Sequence, residues 1–287
     1  MSERLLSYIF SFRKVYVFIQ QTISMLAKGN PEVGLKMFLE AALSADRHAT
    51  AKETNEEDRH VFTQIVYELF SQSFTLYEEQ TGNSKLQRKC IVSLVGALLA
   101  CRSLKKEEFE SLVMKLAQYS AKMLKKSDQC EMVALCSYLF YVVDEQVSLT
   151  PNFLMATLRC DANGLTCTLL PIQQGTVIYS NPQRCLECLQ RALKLADACT
   201  TANPADVRLF VDLLDHYLFF FEKNNPSITG NYLSGLVALV QEHFAGDVSV
   251  GAAKAQFFEI VNYIRRKKES KETEQKFSEV DVSGVST

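Results

Sequence analysis

The chain has 287 residues, 47% of them hydrophobic, which is enough apolar material for a large core and argues against disorder. Its 31 basic and 33 acidic residues leave a net charge of −2, so no overall positive field favours nucleic acid or an anionic membrane. Six prolines and eleven glycines are too few for an all-β chain, which needs a turn about every ten residues. The composition therefore favours an all-α protein.

No stretch has the features of a targeting or membrane-spanning segment. Leu5 to Phe10 are mostly hydrophobic, but Arg13 and Lys14 follow and no small-residue cleavage site does, so the sequence predicts a helix here. No apolar run reaches the roughly 18 residues of a membrane span. Nine cysteines without a secretory signal predict free thiols in a reducing compartment, and hence a cytosolic protein.

Apolar residues at helical spacing predict six consecutive helices in the first half of the chain. The first ends at about Lys28, and Asn30-Pro31 starts a second over about 32–47. An apolar stripe from Phe62 to Tyr77 predicts the third. The fourth, about 85–102, is apolar on several sides and is predicted to be enclosed by other helices. The fifth and sixth are predicted over about 106–125 and from Ser127 to about Val143.

Three Asn-Pro dipeptides organise the second half of the chain. They are Asn181-Pro182, Asn203-Pro204 and Asn225-Pro226, each 22 residues after the one before. Asn is a good helix N-cap because its side chain accepts a hydrogen bond from a first-turn amide. Pro at the first helical position gives up only an N–H that has no intrahelical partner. Each dipeptide therefore predicts the start of a helix.

Short links make neighbouring helices run antiparallel, so about ten such helices predict a HEAT-like α-solenoid. We expect the solenoid to cover residues 1–267 and residues 268–287 to form a disordered tail. Segment 144–181 interrupts the helical pattern with two prolines and two glycines. A long loop inside a compact array is usually functional or disordered, so a small hairpin, a disordered loop and a partner-binding loop all stay open.

Chemistry-bearing motifs are sparse. Cys185 and Cys188 lie in the first turn of a predicted helix, with Cys160 and Cys167 upstream. Their spacing is not that of a zinc ribbon, so packed apolar thiols are the simpler interpretation and a zinc-binding module at Cys160–Cys188 is the alternative. The sequence has no G-x-S-x-G, P-loop or dinucleotide motif, which predicts no enzyme and no cofactor. The basic run Arg265 to Lys268 fits the end of a helix, and nucleic-acid binding is the alternative.

Several blocks of the sequence, in a fixed order, carry a family resemblance. They are QQTISMLAKG (20–29), LKMFLEAALSA (35–45), VYELFSQSFTLYEE (66–79), SAKMLKKSDQ (120–129), CLECLQRALKLADAC (185–199), FVDLLDHYLFFFEKNN (210–225) and KETEQKF (271–277). Together they resemble the C-terminal part of the large solenoid subunit of retromer, the vacuolar protein sorting protein thirty-five family. The order of the matches makes the resemblance specific, since none of the blocks is a catalytic signature.

The resemblance implies a non-enzymatic scaffold of the endosomal coat that sorts cargo for retrograde transport to the Golgi or plasma membrane. In that family the C-terminal solenoid cradles a small subunit with a metallophosphoesterase fold. The resemblance also implies a cytoplasmic protein that is held on endosome membranes by its partners. It implies no binding of nucleic acid. The family's N-terminal half carries the arrestin-like subunit and has no match in this sequence, so a complete protein with this sequence, as opposed to a fragment, is expected not to bind that subunit.

Two sets of candidate contact residues follow. Apolar residues off the packing stripes are the best candidates for anchors to the small subunit, and we select Tyr67, Phe219 and Phe220. The resemblance also implies a homodimer in which acidic residues of one solenoid meet lysines of another. The matching residues here are Glu78, Glu79, Lys122, Lys125 and Lys126, with Gln80 where the family pattern has an acid. A helical-repeat protein that binds another protein or nucleic acid is the alternative function.

Overall fold

The computed structural model describes residues 2–80, 82–142, 179–244, 251–271 and 273–285, with side chains from Arg13 onward except that of Gln80. In this part of the chain, helices dominate and strands are limited to two short segments, which confirms the predicted all-α class. The elements in order are α1 Ser2–Ala27, α2 Pro31–Thr50, α3 Glu56–Gln80, α4 Ser84–Ala100, α5 Lys106–Ala121, α6 Lys126–Phe140, β1 Tyr141–Val142, β2 Tyr179–Ser180, α7 Pro182–Ala202, α8 Arg208–Glu222, α9 Gly230–Phe244, α10 Gly251–Glu269 and α11 Glu274–Phe277.

The described residues form two compact units. The first contains α1 to α4 and α5 as far as Tyr119, and the second contains the residues from Ser120 onward. Each unit has its own core of apolar side chains supplied by paired helices. A chain built from consecutive helix pairs is the organisation that the predicted solenoid class requires.

In the first unit, α2 packs against α1, α3 and α4. The Asn30 side chain caps α2 by accepting a hydrogen bond from the Val33 amide at 3.2 Å, as its Asn-Pro dipeptide predicts. The backbones of α1 and α2 approach closely at Gly34, where an added Cβ would lie 2.5 Å from the Cβ of Ala27. Glycine at this position therefore sets the spacing of the two helices.

Asp46 ties α2 to the loop between α4 and α5. Its side chain is 5% exposed, and its Oδ1 accepts hydrogen bonds from the Ser103 amide at 2.7 Å and the Arg102 amide at 2.9 Å. The Cys101 thiol donates a third, at 3.1 Å. One buried carboxylate thus satisfies the backbone of a turn that has left the α4 helix, and buried backbone groups without such partners are costly.

We expect Asp46→Ala to destabilise the first unit by about 2–4 kcal/mol, because it leaves two loop amides without their charged acceptor. Asp46→Asn keeps an acceptor oxygen at the same place and should cost clearly less. Thermal and urea unfolding, followed by circular dichroism, measure the difference. Equal stabilities for the alanine variant and the wild type would contradict this role.

In the second unit, α6 has almost no face toward solvent. Cys130 and every residue from Met132 to Phe140 are buried. Much of the cover comes from α7, which presents a stripe of mostly small residues: Cys185, Leu189, Ala192, Ala196 and Cys199. The small side chains let the helices approach until the Cys130 thiol donates to the Ala192 carbonyl at 3.2 Å. The predicted enclosure of α4 is also observed, since Lys85 is its one exposed residue, but α6 is enclosed more completely.

A two-stranded antiparallel ladder connects α6 to α7. Tyr141 pairs with Ser180 and Val142 with Tyr179, and the Asn181 amide donates to the Phe140 carbonyl at 2.6 Å. The two ends of the predicted insertion are therefore held together where α6 ends and α7 begins. The possible hairpin, disordered loop or partner-binding loop falls on residues 143–178, which lie outside the described residues.

The three Asn-Pro dipeptides do not all act alike. Asn181 caps α7 through the Arg184 amide, and Asn203 starts a 3₁₀ turn, Pro204–Val207, that leads into α8. Asn225 is buried and starts a turn, and α9 begins only at Gly230. The difference arises at the end of α8, where Asn224 adopts φ = 60° and the amides of Asn224 and Asn225 bond back to Phe221 and Phe220. These bonds form a Schellman motif, which terminates α8. The dipeptide Asn225-Pro226 therefore lies at the end of one helix and not at the start of the next.

The C-terminal residues differ from the predicted disordered tail. The helix α10 continues to Glu269, and Glu274–Val285 then packs back onto the second unit; we call this segment the strap. Its apolar side chains are almost completely buried: Phe277, Val280, Val282 and Val285. The sequence did not show this because four isolated apolar residues between polar ones resemble a solvated tail when their receiving surface is unknown.

Candidate interaction site

Phe219 is a half-buried aromatic residue near the end of α8. Its ring centroid lies 4.9 Å from that of Tyr138 and 5.2 Å from that of Phe220. The Lys223 ammonium lies 6.0 Å from its centroid, within the range of a cation–π contact. One side of the ring is thus held by the core while the other remains accessible, which is the arrangement of an aromatic anchor for a partner.

Phe220 does not share this property. Its side chain is 0% exposed and packs against Tyr138 and Tyr141 at centroid distances of 4.8 and 6.2 Å. A ring enclosed on all sides offers no surface to a partner, so Phe220 is a core residue of the second unit. Adjacent aromatic residues in the sequence face different directions around a helix, and sequence alone did not separate them.

Tyr67 lies on α3 in the first unit and is also half-buried. Its neighbours Val66 and Phe70 are completely buried and form part of the core of that unit. Tyr67 lies at the border of the packed face, where an accessible aromatic ring remains available for contact. Because Tyr67 and Phe219 belong to different units, each is considered by itself.

The two acidic residues proposed for self-association, Glu78 and Glu79, differ in their local interactions. Glu78 accepts a hydrogen bond from the Tyr119 hydroxyl and pairs with the Lys115 ammonium at 3.0 Å. These two groups, the hydroxyl first, hold the pKa of Glu78 below its usual value. Glu79 is exposed next to it. Part of the negative charge predicted for this surface is therefore already compensated within the chain.

The candidate lysines surround an apolar residue that the sequence analysis did not select. Lys122, Lys125 and Lys126 are exposed at the junction of α5 and α6. Between them, Leu124 has 85% of its surface exposed, while the neighbouring Met123 is 5% exposed. A fully exposed leucine ringed by like charges combines an apolar contact with electrostatic orientation. Leu124 and Lys125 form the turn directly before α6. Neither position belongs to a helical stripe, and this feature of the sequence could have identified Leu124 as an exposed residue.

A small acidic cavity lies in the second unit, between α6 and α8. Its volume is about 40 Å³, and its lining includes Cys130, Glu131, Asp212 and His216. Burial raises the pKa of Asp212 to about 6, although the Gln256 amide donates to its carboxylate at 3.2 Å. Burial also lowers the pKa of His216 to about 3, so this ring, bonded to the Tyr138 hydroxyl at 2.9 Å, stays neutral. The cavity has room for about one water molecule, too little for an organic substrate.

Asp215, next to this cavity, gives a pH-dependent prediction. Burial, with Asp212 and Glu222 nearby, raises its pKa from 3.8 to about 6 in the folded chain. The folded state therefore holds a proton between about pH 6 and 4 that the unfolded state has released, and ionisation above pH 6 costs stability.

Asp215→Asn should accordingly raise the stability by about 1–2 kcal/mol at pH 7.5 and have little effect at pH 4. Urea unfolding at both pH values measures this. Asp197→Asn, an exposed position on α7, is the matched control and should change stability little at either pH. A stabilisation by Asp215→Asn that is the same at both pH values would show that removal of charge is not its cause.

The cysteine pair of the zinc alternative is packed in the core. Cys185 is buried and Cys188 half-buried in the first turns of α7. Burial raises the pKa of Cys188 to about 12 and also raises that of Cys185, so both are thiols in the folded chain. Cys160 and Cys167 lie outside the described residues. In the part of the chain that the structure describes, no three His, Cys, Asp or Glu side chains are arranged to hold a metal ion.

Two further sequence features have ordinary positions. The basic residues Arg266, Lys267 and Lys268 lie in the last turn of α10, where cations interact favourably with the helix dipole. Lys267 pairs with Glu222 at 3.6 Å. Among the described helices, none is both long enough and apolar enough to cross a bilayer.

The geometry defines a class of protein before any comparison. Consecutive packed helices are the organisation of helical-repeat proteins. The sequence profile of the vacuolar protein sorting-associated protein 35 family matches residues 6–243. The chain belongs to this family, in agreement with the resemblance seen in the sequence. The block KETEQKF at 271–277 lies beyond the matched residues.

Curated relatives agree with this assignment. The chain is 32% identical over 242 residues to vacuolar protein sorting-associated protein 35B of Arabidopsis thaliana, and 30% over 263 residues to protein 35A of the same plant. It is 28% identical over 233 residues to vacuolar protein sorting-associated protein 35 of Schizosaccharomyces pombe. These alignments cover 82%, 88% and 80% of this chain. They cover 25%, 28% and 23% of the relatives, so the chain spans about a quarter of their length.

Proposed function

We propose that the chain acts as a non-enzymatic scaffold in retromer, the endosomal coat that sorts cargo for retrograde transport. The observation that carries the proposal is the family match over residues 6–243, which includes most of both units. The chain is peripheral on endosome membranes, where its partners hold it. Its described residues offer half-buried aromatic rings and exposed charges for docking.

The proposed partner of this stretch is the metallophosphoesterase-fold small subunit. Docking of this kind depends on shape complementarity, and a few aromatic anchors supply most of the affinity. Phe219 is the better candidate anchor, since the core holds one side of its ring while the other side stays accessible. Tyr67 is the candidate in the first unit. Phe220 is not carried into the proposal because it is completely buried.

Calorimetric titration of the purified chain with the small subunit from the same organism tests the proposal. We expect one-to-one binding that Phe219→Ala weakens at least 30-fold, which is about 2 kcal/mol, the usual lower bound for a hot spot. Tyr67→Ala should act in the same direction. Phe258→Ala is the matched control, because Phe258 is a half-buried aromatic residue on α10, beyond the family match. Absence of binding by the folded wild-type chain would refute the proposed partner.

Self-association is the second part of the proposal. Lys122, Lys125 and Lys126 surround the exposed Leu124, and Glu79 offers the opposite charge on the other unit. Exposed charge pairs contribute little affinity each but set the register of an interface, so we assign the apolar contact to Leu124.

We expect the wild-type chain to form a dimer in a concentration series by analytical ultracentrifugation. Leu124→Ser, and separately the triple exchange of Lys122, Lys125 and Lys126 to Glu, should each shift the midpoint at least tenfold toward monomer. A triple Lys→Glu exchange at the exposed Lys52, Lys194 and Lys254 changes the net charge equally and is the control. A wild-type chain that stays monomeric at 100 µM, roughly the weakest useful affinity, would refute the dimer.

A further inference from the structure

The strap, Glu274–Val285, is bound to the second unit in the manner of a peptide ligand. Four of its side chains are inserted, at the first, fourth, sixth and ninth positions of a nine-residue stretch. They are Phe277 at 1% exposed, Val280 at 0%, Val282 at 6% and Val285 at 4%. The residues between them, including Ser278, Glu279, Asp281 and Ser283, are exposed. The strap begins as the single turn α11 and continues through turns at 278–279 and 283–284, so its buried side chains recur every two or three residues.

Side chains of the receiving surface bind the strap by its backbone. Ser234 on α9 accepts a hydrogen bond from the Asp281 amide at 2.8 Å. Gln241, two turns further along α9, donates to the Gly284 carbonyl, and Arg265 on α10 donates to the Val285 carbonyl. Contacts to the backbone supply affinity without reading side chains, so the groove does not depend on this one sequence.

The entry to the groove is shaped to admit a backbone. At Gly230, the first residue of α9, an added Cβ would lie 2.8 Å from the Cβ of Glu279, so any other residue here would push the strap away. The Phe277 ring packs edge-on against Phe221 of α8 at a centroid distance of 5.3 Å. Lys276 donates to the Glu222 carbonyl at 2.9 Å, at the negative end of the α8 dipole.

The charges of groove and strap are complementary. The last turn of α10 carries Arg266, Lys267 and Lys268, and the exposed positions of the strap carry Glu279 and Asp281. Hydrogen bonds from Ser283, with Lys268 nearby, hold the pKa of Asp281 below its usual value. The strap also lies wholly beyond the family match, which ends at residue 243, and is joined to α10 by only four residues, 270–273.

We propose that the groove formed by α8, α9 and α10 is a peptide-binding site that the strap fills in cis and that accepts, in exchange, a peptide of a partner protein that adopts the same turns. The partner peptide has apolar residues at the first, fourth, sixth and ninth positions and acidic residues between them. Release of the strap exposes the site, so the strap limits when the partner binds. The inference does not depend on the retromer assignment, because it uses only contacts within the second unit.

The test uses the full chain with residues 270–272 replaced by the recognition sequence of a specific protease. The probe is a fluorescein-labelled synthetic peptide of residues 273–285, followed by anisotropy before and after cleavage. A tethered strap competes at millimolar effective concentration, so the cut chain should bind the probe at least tenfold more tightly than the uncut chain.

Peptide variants show which residues of the peptide the groove recognises. Val280→Asp with Val282→Asp should weaken binding at least 30-fold, whereas the exposed Gln275→Ala should change it less than threefold. A peptide that keeps the four apolar residues and the acids, but replaces the other exposed residues, should bind within fivefold of the probe. Loss of binding by that peptide would refute recognition by spacing. Equal binding by the aspartate peptide, or no binding by a folded cut chain, would refute the site.

Two measurements on the intact chain keep the inference falsifiable if cleavage unfolds it. In native-state hydrogen exchange, the amides of the strap should open together and at least tenfold faster than those of α6 and α7. Exchange of the strap only through global unfolding would make it a fixed part of the core and overturn the proposal. A concentration-dependent dimer that Val280→Asp abolishes would show that the strap of a second copy is the occupant, and would overturn the partner peptide.

Discussion

The structure of the second unit depends on the enclosure of α6. A helix that is buried from Met132 to Phe140 needs cover on every side, and α7 supplies much of it through a stripe of alanines, cysteines and a leucine. Larger residues along that stripe would separate the helices and break the close contact at Ala192. The β1–β2 ladder and the aromatic cluster around Tyr138 are consequences, because they form where α6 ends and α8 meets it.

Helix positions were largely predictable from the sequence, because the signals that set them are local. Asn30 and Asn181 cap their helices through their own side chains, and the apolar stripes of α2 and α3 recur at helical spacing. Asn225 is the instructive exception: the same dipeptide follows a residue with positive φ, and the Schellman bonds take precedence over a new start. An Asn-Pro dipeptide favours the start of a helix. Whether a helix can begin there also depends on how the preceding helix ends.

Surfaces were predicted less well, because exposure depends on elements far away in the sequence. Phe219 and Phe220 are adjacent and chemically identical, yet one is half-buried and the other enclosed by Tyr138 and Tyr141. Leu124 lies outside every apolar stripe, so the sequence does not mark it, and the valines of the strap lie in a segment whose sequence predicts a disordered tail. Family resemblance corrected none of these, since it transfers residues by position and not by burial. The strap extends past the matched region altogether.

The cysteines buried between the helices can report how often each helix pair opens. Cys90 and Cys101 are buried in the first unit, and Cys130, Cys136, Cys185 and Cys199 in the second. Burial raises the pKa of each of these thiols, so neither access nor thiolate is available while the helices stay together. Alkylation then proceeds only as fast as each helix pair separates. The alkylation rate of each cysteine would therefore report how often its own helix pair opens, and no probe would have to be engineered into the chain.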